Sequence, residues 1–322
     1  MEYSRVLLAG AIVIVFNNVG NGILRGEGDA NRAMYAMILG SGLNIVLDPV
    51  FIYTLGFGVV GAAYATLLSM IITSLFMAYW LFIKRDTYVE ITFNDFFPSR
   101  EILKDILRVG VPASLAQLTM SIAMFFLNRV AIMAGGENGV AVFTSAWRVT
   151  MLGIVPILGM ASATTAVTGA AYGERNIQKL ETAYLYAIKL AFAIELGVVA
   201  FIMLFAPQVS YLFTYSESAL VIKEELIKAF RTLPIFLVLT PFGMMTSAMF
   251  QGIGEGEKSL VLTILRTVIM QVGFAYFFAL YMDFGLRGVW IGIVLGNMTA
   301  AIIGFSWERV RIRHLKEAFG TS

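Results

Sequence analysis

The sequence predicts an all-α polytopic membrane protein with about nine transmembrane helices. Of its 322 residues, 59% are hydrophobic and only 14% are charged, and the mean hydropathy is +0.81. An average soluble domain carries roughly 25% charged residues, so a soluble chain of this composition has too few polar groups to cover its surface. The apolar runs are continuous and about 20 residues long, as a membrane-spanning helix requires and as a barrel strand does not.

Nine apolar runs follow one another at residues 6–24, 33–55, 59–83, 107–133, 140–170, 181–206, 230–252, 260–282 and 288–307. Most connections are short and marked by glycine or charge, but the connection after the third run carries Asp86, Glu90 and Asp95. We therefore expect a partial N-terminal lobe of three helices at 1–84 and a cytoplasmic linker at 85–106. Residues 107–322 then form a C-terminal lobe of six helices with a basic cytoplasmic tail.

The distribution of lysine and arginine predicts how the chain is oriented. If the first loop lies in the cytoplasm, 14 of these residues fall inside and 5 outside, which agrees with the positive-inside rule. The C-terminus is then cytoplasmic, in a multi-pass protein of the cell membrane. The N-terminus is outside after only five residues, a start that favours a missing upstream segment.

Two glycine patterns recur along the chain. Gly26-Glu27-Gly28 returns as Gly252-Ile253-Gly254 after 226 residues, and Gly58 to Gly61 returns as Gly285 to Gly288 after 227. Order, spacing and sidedness agree, which predicts a parallel repeat; chance recurrence of a residue common in membrane loops is the alternative. Four helices after the linker precede the second copy and only one precedes the first, so an arrangement of six plus six helices needs three more before residue 1.

Ionisable side chains at membrane depth are candidate sites, because burying them costs several kcal/mol. Asp48 and Asn44 are four residues apart and share a helix face. They either hold a sodium ion or a proton, or pack at the distortion caused by Pro49. Glu195 lies mid-span and either faces a cavity as a protonatable group or forms an ion pair with Arg148 or Lys189.

The remaining polar residues at membrane depth are more ambiguous. Arg148 is a candidate ligand or a snorkelling side chain, and we expect Arg129 and Arg266, near the ends of their helices, to snorkel. Three neutral side chains either line a cavity or join helices through hydrogen bonds: Gln117, Gln271 and Asn297.

Several classes of chemistry are not expected. There is no cysteine, and the single histidine, His314, stands in the basic tail, so thiolate and multi-histidine metal sites are excluded. No nucleophile–base pair or phosphate-binding loop appears. We expect no catalytic residue, no metal, no cofactor and no nucleic-acid partner.

A series of motifs covering nearly the whole chain resembles the multidrug and toxic compound extrusion (MATE) family. The motifs are Leu24-Arg25-Gly26-Glu27-Gly28-Asp29, the run from Leu43 to Ile52, Gly58-Val59-Val60-Gly61, Gly110-Val111-Pro112-Ala113 and Ala170-Ala171-Tyr172-Gly173. The related lipid-linked oligosaccharide flippases fit them less well. The resemblance implies family helices four to twelve of a two-lobed, twelve-helix fold, with the first three helices absent.

The resemblance also implies a function. Family members export organic cations or amphipathic compounds through the lipid bilayer in exchange for H⁺ or Na⁺. In some members a cation site matches Asn44, Asp48 and Thr66 and is completed by an aspartate of the first helix. The acidic position of the family's seventh helix is held here by about Met120, and 230–252 has no interior carboxylate. The coupling ion therefore stays open.

We expect a secondary active antiporter. The alternatives are a non-transporting truncated fragment and an oligosaccharide-lipid flippase, whose cationic cavity would have to be supplied by residues such as Arg148 and Lys189.

Overall fold

Helices make up almost all of the computed structural model, which describes residues 2–84, 97, 99–215 and 217–319. Within these residues there are helices and turns but no β-strand, so the predicted all-α fold is confirmed. The chain forms two units, Met1–Pro98 (unit 1) and Ser99–Ser322 (unit 2). Of the predicted linker, residues 85–96 and 98 lie outside the described part, and residues 100–106 belong to a helix that begins at Arg100.

The described residues of unit 1 form four helices: α1 (Glu2–Ala9), α2 (Ala11–Gly26), α3 (Ala30–Thr54) and α4 (Gly58–Lys84). α1 and α2 meet at an angle of 54°, so the first apolar run is bent rather than straight. A Cβ atom at Gly10, between them, would collide with the Leu67 side chain of α4. The bend therefore lies where the Leu67 side chain of α4 packs against Gly10.

The described residues of unit 2 form eight helices and one short 3₁₀ helix, Glu217–Ile222. The eight are α5 (100–135), α6 (137–173), α7 (Ile177–Leu204), the short α8 (Ala206–Tyr211), α9 (Lys223–Thr232), α10 (Ile235–Gly252), α11 (Gly256–Tyr281) and α12 (Gly285–Phe319). Its core includes the stacked rings of Phe143 and Trp290, which lie 5.9 Å apart.

α5 and α6 share a nearly continuous hydrogen-bonding pattern over 74 residues but are two separate spans. A straight helix of that length would measure roughly 110 Å, several times the thickness of the hydrocarbon core. Gly136 has φ 62° and ψ −154° and reverses the chain. A Cβ at Gly139 would lie 2.6 Å from the carbonyl oxygen of Ala131, so the two arms run side by side.

The number of crossings agrees with the prediction. Among the described residues, seven continuous helices are long and apolar enough to span a membrane, and the bent α1–α2 pair makes an eighth. Division at Gly136 adds a ninth.

Two predicted boundaries were wrong. The run 230–252 is divided at Leu233 and Pro234, because α9 ends at Thr232 and α10 begins at Ile235. The last helix continues beyond residue 307 to Phe319. Its final turns bury Ile312 and Leu315 on one face.

Ion pairs fix this last part of α12, so the predicted basic tail is largely a docked helix. Glu181 of α7 accepts bonds from Arg309 and Lys316, both at 2.6 Å. Glu255, at the start of α11, pairs with Arg311 at 2.5 Å and with Lys258 at 2.8 Å.

The repeated glycines have the same backbone geometry in both copies. Gly58 and Gly285 each have φ 56°, and Gly28 and Gly254 have φ 85° and 80°, which glycine adopts without strain. Two hydrogen bonds also recur after 227 residues: Leu55 N to Val50 O and Phe57 N to Phe51 O, then Met282 N to Phe277 O and Phe284 N to Phe278 O. Shared geometry of this kind favours a true repeat over chance.

Candidate ion and substrate sites

The structure brings Asn44, Asp48 and Thr66 together in unit 1. Asn44 and Asp48 lie one turn apart on α3, and Thr66 lies opposite them on α4. The Asn44 Nδ2 donates to Asp48 Oδ1 at 3.3 Å and to Thr66 Oγ1 at 3.2 Å. The Thr66 hydroxyl donates to the Ala62 carbonyl at 2.8 Å. The Thr66 oxygen therefore remains free to accept a hydrogen bond or to coordinate a cation within the cluster.

This cluster has the donor atoms of a site for a hard cation. It contains one carboxylate, one hydroxyl oxygen and one amide, and hard cations prefer oxygen ligands. The orientation of an asparagine amide is assigned from its hydrogen bonds. A rotation of 180° about the Asn44 amide would replace its NH₂ group with Oδ1. The same three residues thus form a hydrogen-bonded cluster in one amide orientation and present oxygens from all three in the other.

Glu195 of α7 is a second candidate, in unit 2. Its side chain is fully buried, and neither carboxyl oxygen has a hydrogen-bond partner among the described residues. A Cβ at Gly153 of α6 would lie 3.5 Å from its Oε2 and 2.7 Å from Leu237 Cδ1, so the carboxyl group lies beside Gly153, where glycine leaves room for the Leu237 side chain. The ion-pair interpretation was wrong, because Arg148 and Lys189 are exposed and neither reaches it.

Gln271 and Asn297 belong to an interhelical network. The Asn297 Nδ2 donates to the Phe236 carbonyl at 2.7 Å and to Thr240 Oγ1 at 2.9 Å. Gln271 Nε2 approaches Asn297 Oδ1 at 3.5 Å. Pro241, the residue after Thr240, has no backbone N–H to donate within the helix. Of the two interpretations given above, this geometry fits a link between α10, α11 and α12.

Gln117 and Arg148 are exposed and belong to neither cluster. Arg129 is also exposed, in keeping with its expected position. Within the described ranges, no group of three or more His, Asp or Glu side chains is arranged to hold a metal ion.

Arg266 is a buried residue that sequence analysis placed incorrectly. It was expected to snorkel from a helix end, but its exposed fraction is only 9%. It lies ten residues into α11, roughly 15 Å along the helix axis. Its side chain reaches Gly243 of α10, where a Cβ would lie 3.5 Å from its Cδ. The only indication of this burial in the sequence was that Arg266 is a basic residue inside the apolar run 260–282.

Comparison with known proteins identifies the family. The family model MatE matches residues 1–50 and 112–277, more than half of the chain. The chain belongs to the MatE family. This MATE chain is 27% identical over 299 residues to the probable multidrug resistance protein NorM of Thermotoga maritima, covering 91% of itself and 63% of that protein. It is 24% identical over 305 residues to the multidrug export protein MepA of Staphylococcus aureus, covering 94% and 65%.

A solved structure of a MOP superfamily transporter from Pyrococcus furiosus is more similar. The identity is 83%, the TM-score is 0.96, and the match covers 98% of this MATE chain and 70% of the other. For that transporter, reverse polarity of the binding pocket suggests a different function. The chain thus spans about two thirds of the length of its relatives. They carry the names of transport and resistance proteins, and the absence of enzymatic activity here stays a prediction.

Proposed function

We propose that this chain forms part of a secondary active transporter that exports organic cations or other amphipathic compounds in exchange for H⁺ or Na⁺. The cluster of Asn44, Asp48 and Thr66 carries the proposal, because it places a carboxylate among polar oxygens in a membrane-spanning part of a MATE chain. The names of the Thermotoga and Staphylococcus relatives, which refer to multidrug resistance and export, support the substrate class.

Asp48 supplies the negative charge of the ion site. When Na⁺ binds, the Asn44 amide rotates so that its oxygen faces the ion beside Asp48 and Thr66. When a proton binds instead, it neutralises the Asp48 carboxylate, and Asn44 keeps its bond to Thr66. Either event removes a net negative charge from a partly buried position and changes the hydrogen bonds between α3 and α4. Ion binding in this way alters the packing of unit 1.

Glu195 is the second ion-binding group of the proposal. A charged carboxyl group costs several kcal/mol at membrane depth unless it is paired, and Glu195 has no partner among the described residues. Uptake of a proton or a cation removes that cost. The carboxyl group therefore provides unit 2 with a chargeable position of its own.

Transport by purified protein in liposomes tests the proposal. We expect an imposed Na⁺ or pH gradient to drive ethidium across the membrane, with the two gradients applied separately to identify the ion. D48N should lower the rate at least tenfold, because the amide keeps the shape but loses the charge. D283N is the matched control, since Asp283 is exposed and has φ 57°, a conformation that asparagine also adopts.

Two results would contradict the proposal. If D48N transports ethidium at the parent rate, the cluster is not the coupling site. If the parent chain moves no ethidium under either gradient, the chain is not sufficient for transport, and the truncated-fragment interpretation gains support.

A second candidate function is export of an anionic or lipid-linked compound, as in the flippase alternative. The buried Arg266, which has no acidic partner in the described part of the chain, favours it. So does the reverse pocket polarity reported for the Pyrococcus furiosus transporter. Replacing ethidium with an anionic dye in the same liposomes separates the two candidates.

A further inference from the structure

Arg266 is a cation buried in the membrane-spanning part of unit 2. It belongs to α11, which is long and apolar enough to cross the bilayer, and 9% of the residue is exposed. A positive charge at that depth costs several kcal/mol unless an anion or several acceptors surround it. The guanidinium carries five N–H donors in a planar fork.

The rest of the described chain supplies neither an anion nor hydrogen-bond acceptors to the Arg266 guanidinium. No hydrogen bond or ion pair joins Arg266 to any described residue. The other buried charged side chains do not pair with it: Glu195 has no partner, and the ion pair of Glu308 is with Arg309 at 3.9 Å. The nearby Thr267 hydroxyl donates to the Thr263 carbonyl at 2.8 Å within its own helix.

Arg266 faces a glycine on α10. Its Nη1 would lie 3.7 Å from a Cβ at Gly243, so the facing position of α10 bears no side chain. The backbone from Leu265 to Val272 forms wide, π-type helical turns. The same stretch carries Thr267 and Gln271, which are 5% and 7% exposed.

We propose that Arg266 anchors a binding site within unit 2 for the carboxylate or phosphate group of an amphipathic ligand. The planar guanidinium matches the two oxygens of either group with parallel hydrogen bonds. Such a ligand supplies the counter-charge that the protein lacks there, and its apolar part remains in the apolar surroundings of α11. This inference does not rest on the transport proposal, since binding is measured without an ion gradient.

The absence of cysteine allows a direct test at Gly243. A cysteine fits there, because the nearest atoms to its Cβ are at ordinary contact distance. We measure the labelling rate of G243C by an anionic sulfonatoethyl and a cationic trimethylammonioethyl methanethiosulfonate. The ratio of the two rates is used because a change in thiolate fraction affects both reagents alike.

We expect R266Q in the G243C background to lower the anionic-to-cationic rate ratio at least fivefold. R129Q in the same background is the matched control, because it removes an exposed arginine of α5 and should leave the ratio unchanged. An unchanged ratio in R266Q overturns the proposal. So does a G243C variant whose thiol reacts with neither reagent, because no anion then reaches the guanidinium.

Binding to the cysteine-free protein identifies the source of the anion. Native mass spectrometry in detergent compares dioleoylphosphatidate, dodecanoate and inorganic phosphate, with dioleoylphosphatidylcholine as the zwitterionic control. We expect R266Q to weaken binding of at least one anion fivefold or more, while R129Q does not. Loss confined to phosphatidate and dodecanoate identifies an amphipathic ligand, and an equal loss of inorganic phosphate identifies a free anion and contradicts the amphipathic part of the proposal.

R266K keeps the test decisive if R266Q does not fold. It retains the charge but not the fork, so we expect at least twofold weaker binding of the preferred anion. If R266K or R266Q binds every anion as the parent does, Arg266 is only a packing residue.

Discussion

Glu195 and Asn297 are both buried polar residues of unit 2, but they differ in whether their polar atoms have hydrogen-bond partners. The two N–H bonds of Asn297 go to Phe236 and Thr240 at 2.7 and 2.9 Å. The two oxygens of Glu195 have no partner in the described structure. A satisfied polar group contributes to stability, whereas an unsatisfied one costs stability and needs another reason to be kept. Burial alone therefore does not separate structural from functional residues. The presence or absence of hydrogen-bond partners does.

The two residues should respond oppositely to substitution. N297A removes two hydrogen bonds between α10 and α12, so we expect it to lower the free energy of unfolding by about 1–2 kcal/mol. E195Q removes a charge without breaking any described bond, so its stability should equal or exceed that of the parent, while ion-driven transport falls. Thermal unfolding in detergent, followed by the fluorescence of the four tryptophans, measures the stability. A destabilised E195Q would indicate that the carboxylate is an essential structural group.

At the scale of helices, glycines determine which elements touch. Gly288, Gly292 and Gly296 form a stripe on α12 with the small-residue spacing that allows helices in membranes to approach closely. A Cβ at any of the three would lie within 2.7 Å of backbone atoms of α11. Gly61 of α4 approaches the Phe51 carbonyl in the corresponding part of unit 1, where a Cβ would lie 2.6 Å from the oxygen. In both copies of the repeat, a glycine thus allows two consecutive helices to pack with their backbones in close contact.

Alanine at these contacts should separate the helices. We expect G292A and G61A each to lower the free energy of unfolding by about 1–3 kcal/mol, the usual cost of overpacking, because backbone rather than a flexible side chain must move. G197A is the matched control: Gly197 lies on the exposed face of α7 with no atom within 4 Å. Alanine there should be neutral or stabilising by up to about 1 kcal/mol. Equal stability of G292A and G197A in thermal unfolding would refute the close contact.

Helix ends were predictable where glycine marks them, and less so elsewhere. α2 and α10 end at Gly26 and Gly252, and α4 and α12 begin at Gly58 and Gly285, as the glycine pairs indicated. Hydropathy records apolar length only, so it missed the polar final turns of α12. It also missed the bend at Gly10, where Leu67 of another helix packs closely.

The candidate sites were likewise predictable from the sequence only in part. The spacing of Asn44 and Asp48 placed them on one helix face, but Thr66 on the neighbouring helix came from the family resemblance. Nothing in the sequence places Arg266 beside Gly243, because that contact depends on how α10 and α11 pack. The missing partner of Glu195 was equally hidden, since Lys189 and Arg148 were plausible partners until the structure showed both exposed.

At the scale of the whole molecule, charge predicts orientation in the membrane. The 14 to 5 division of lysine and arginine predicts that the C-terminal end of α12 lies on the cytoplasmic side, because cytoplasmic segments of membrane proteins retain these residues. The ion pairs of Arg309 and Arg311 with Glu181 and Glu255 do not weaken this prediction, since Asp and Glu contribute little to the rule. The ends of α7, α11 and α12 that these pairs join should accordingly share the cytoplasmic side.

Cysteine labelling in intact cells tests this orientation. Tyr215 and His314 are both exposed, and the chain has no other cysteine to interfere. We expect a membrane-impermeant maleimide to label Y215C in intact cells, because the segment around it is predicted to be extracellular. H314C should be labelled only after permeabilisation. Labelling of H314C and protection of Y215C in intact cells would show the reverse orientation, and equal labelling of both in intact cells would show that the three spans between them, α10, α11 and α12, do not place them on opposite sides. A parent chain without labelling under either condition serves as the background control.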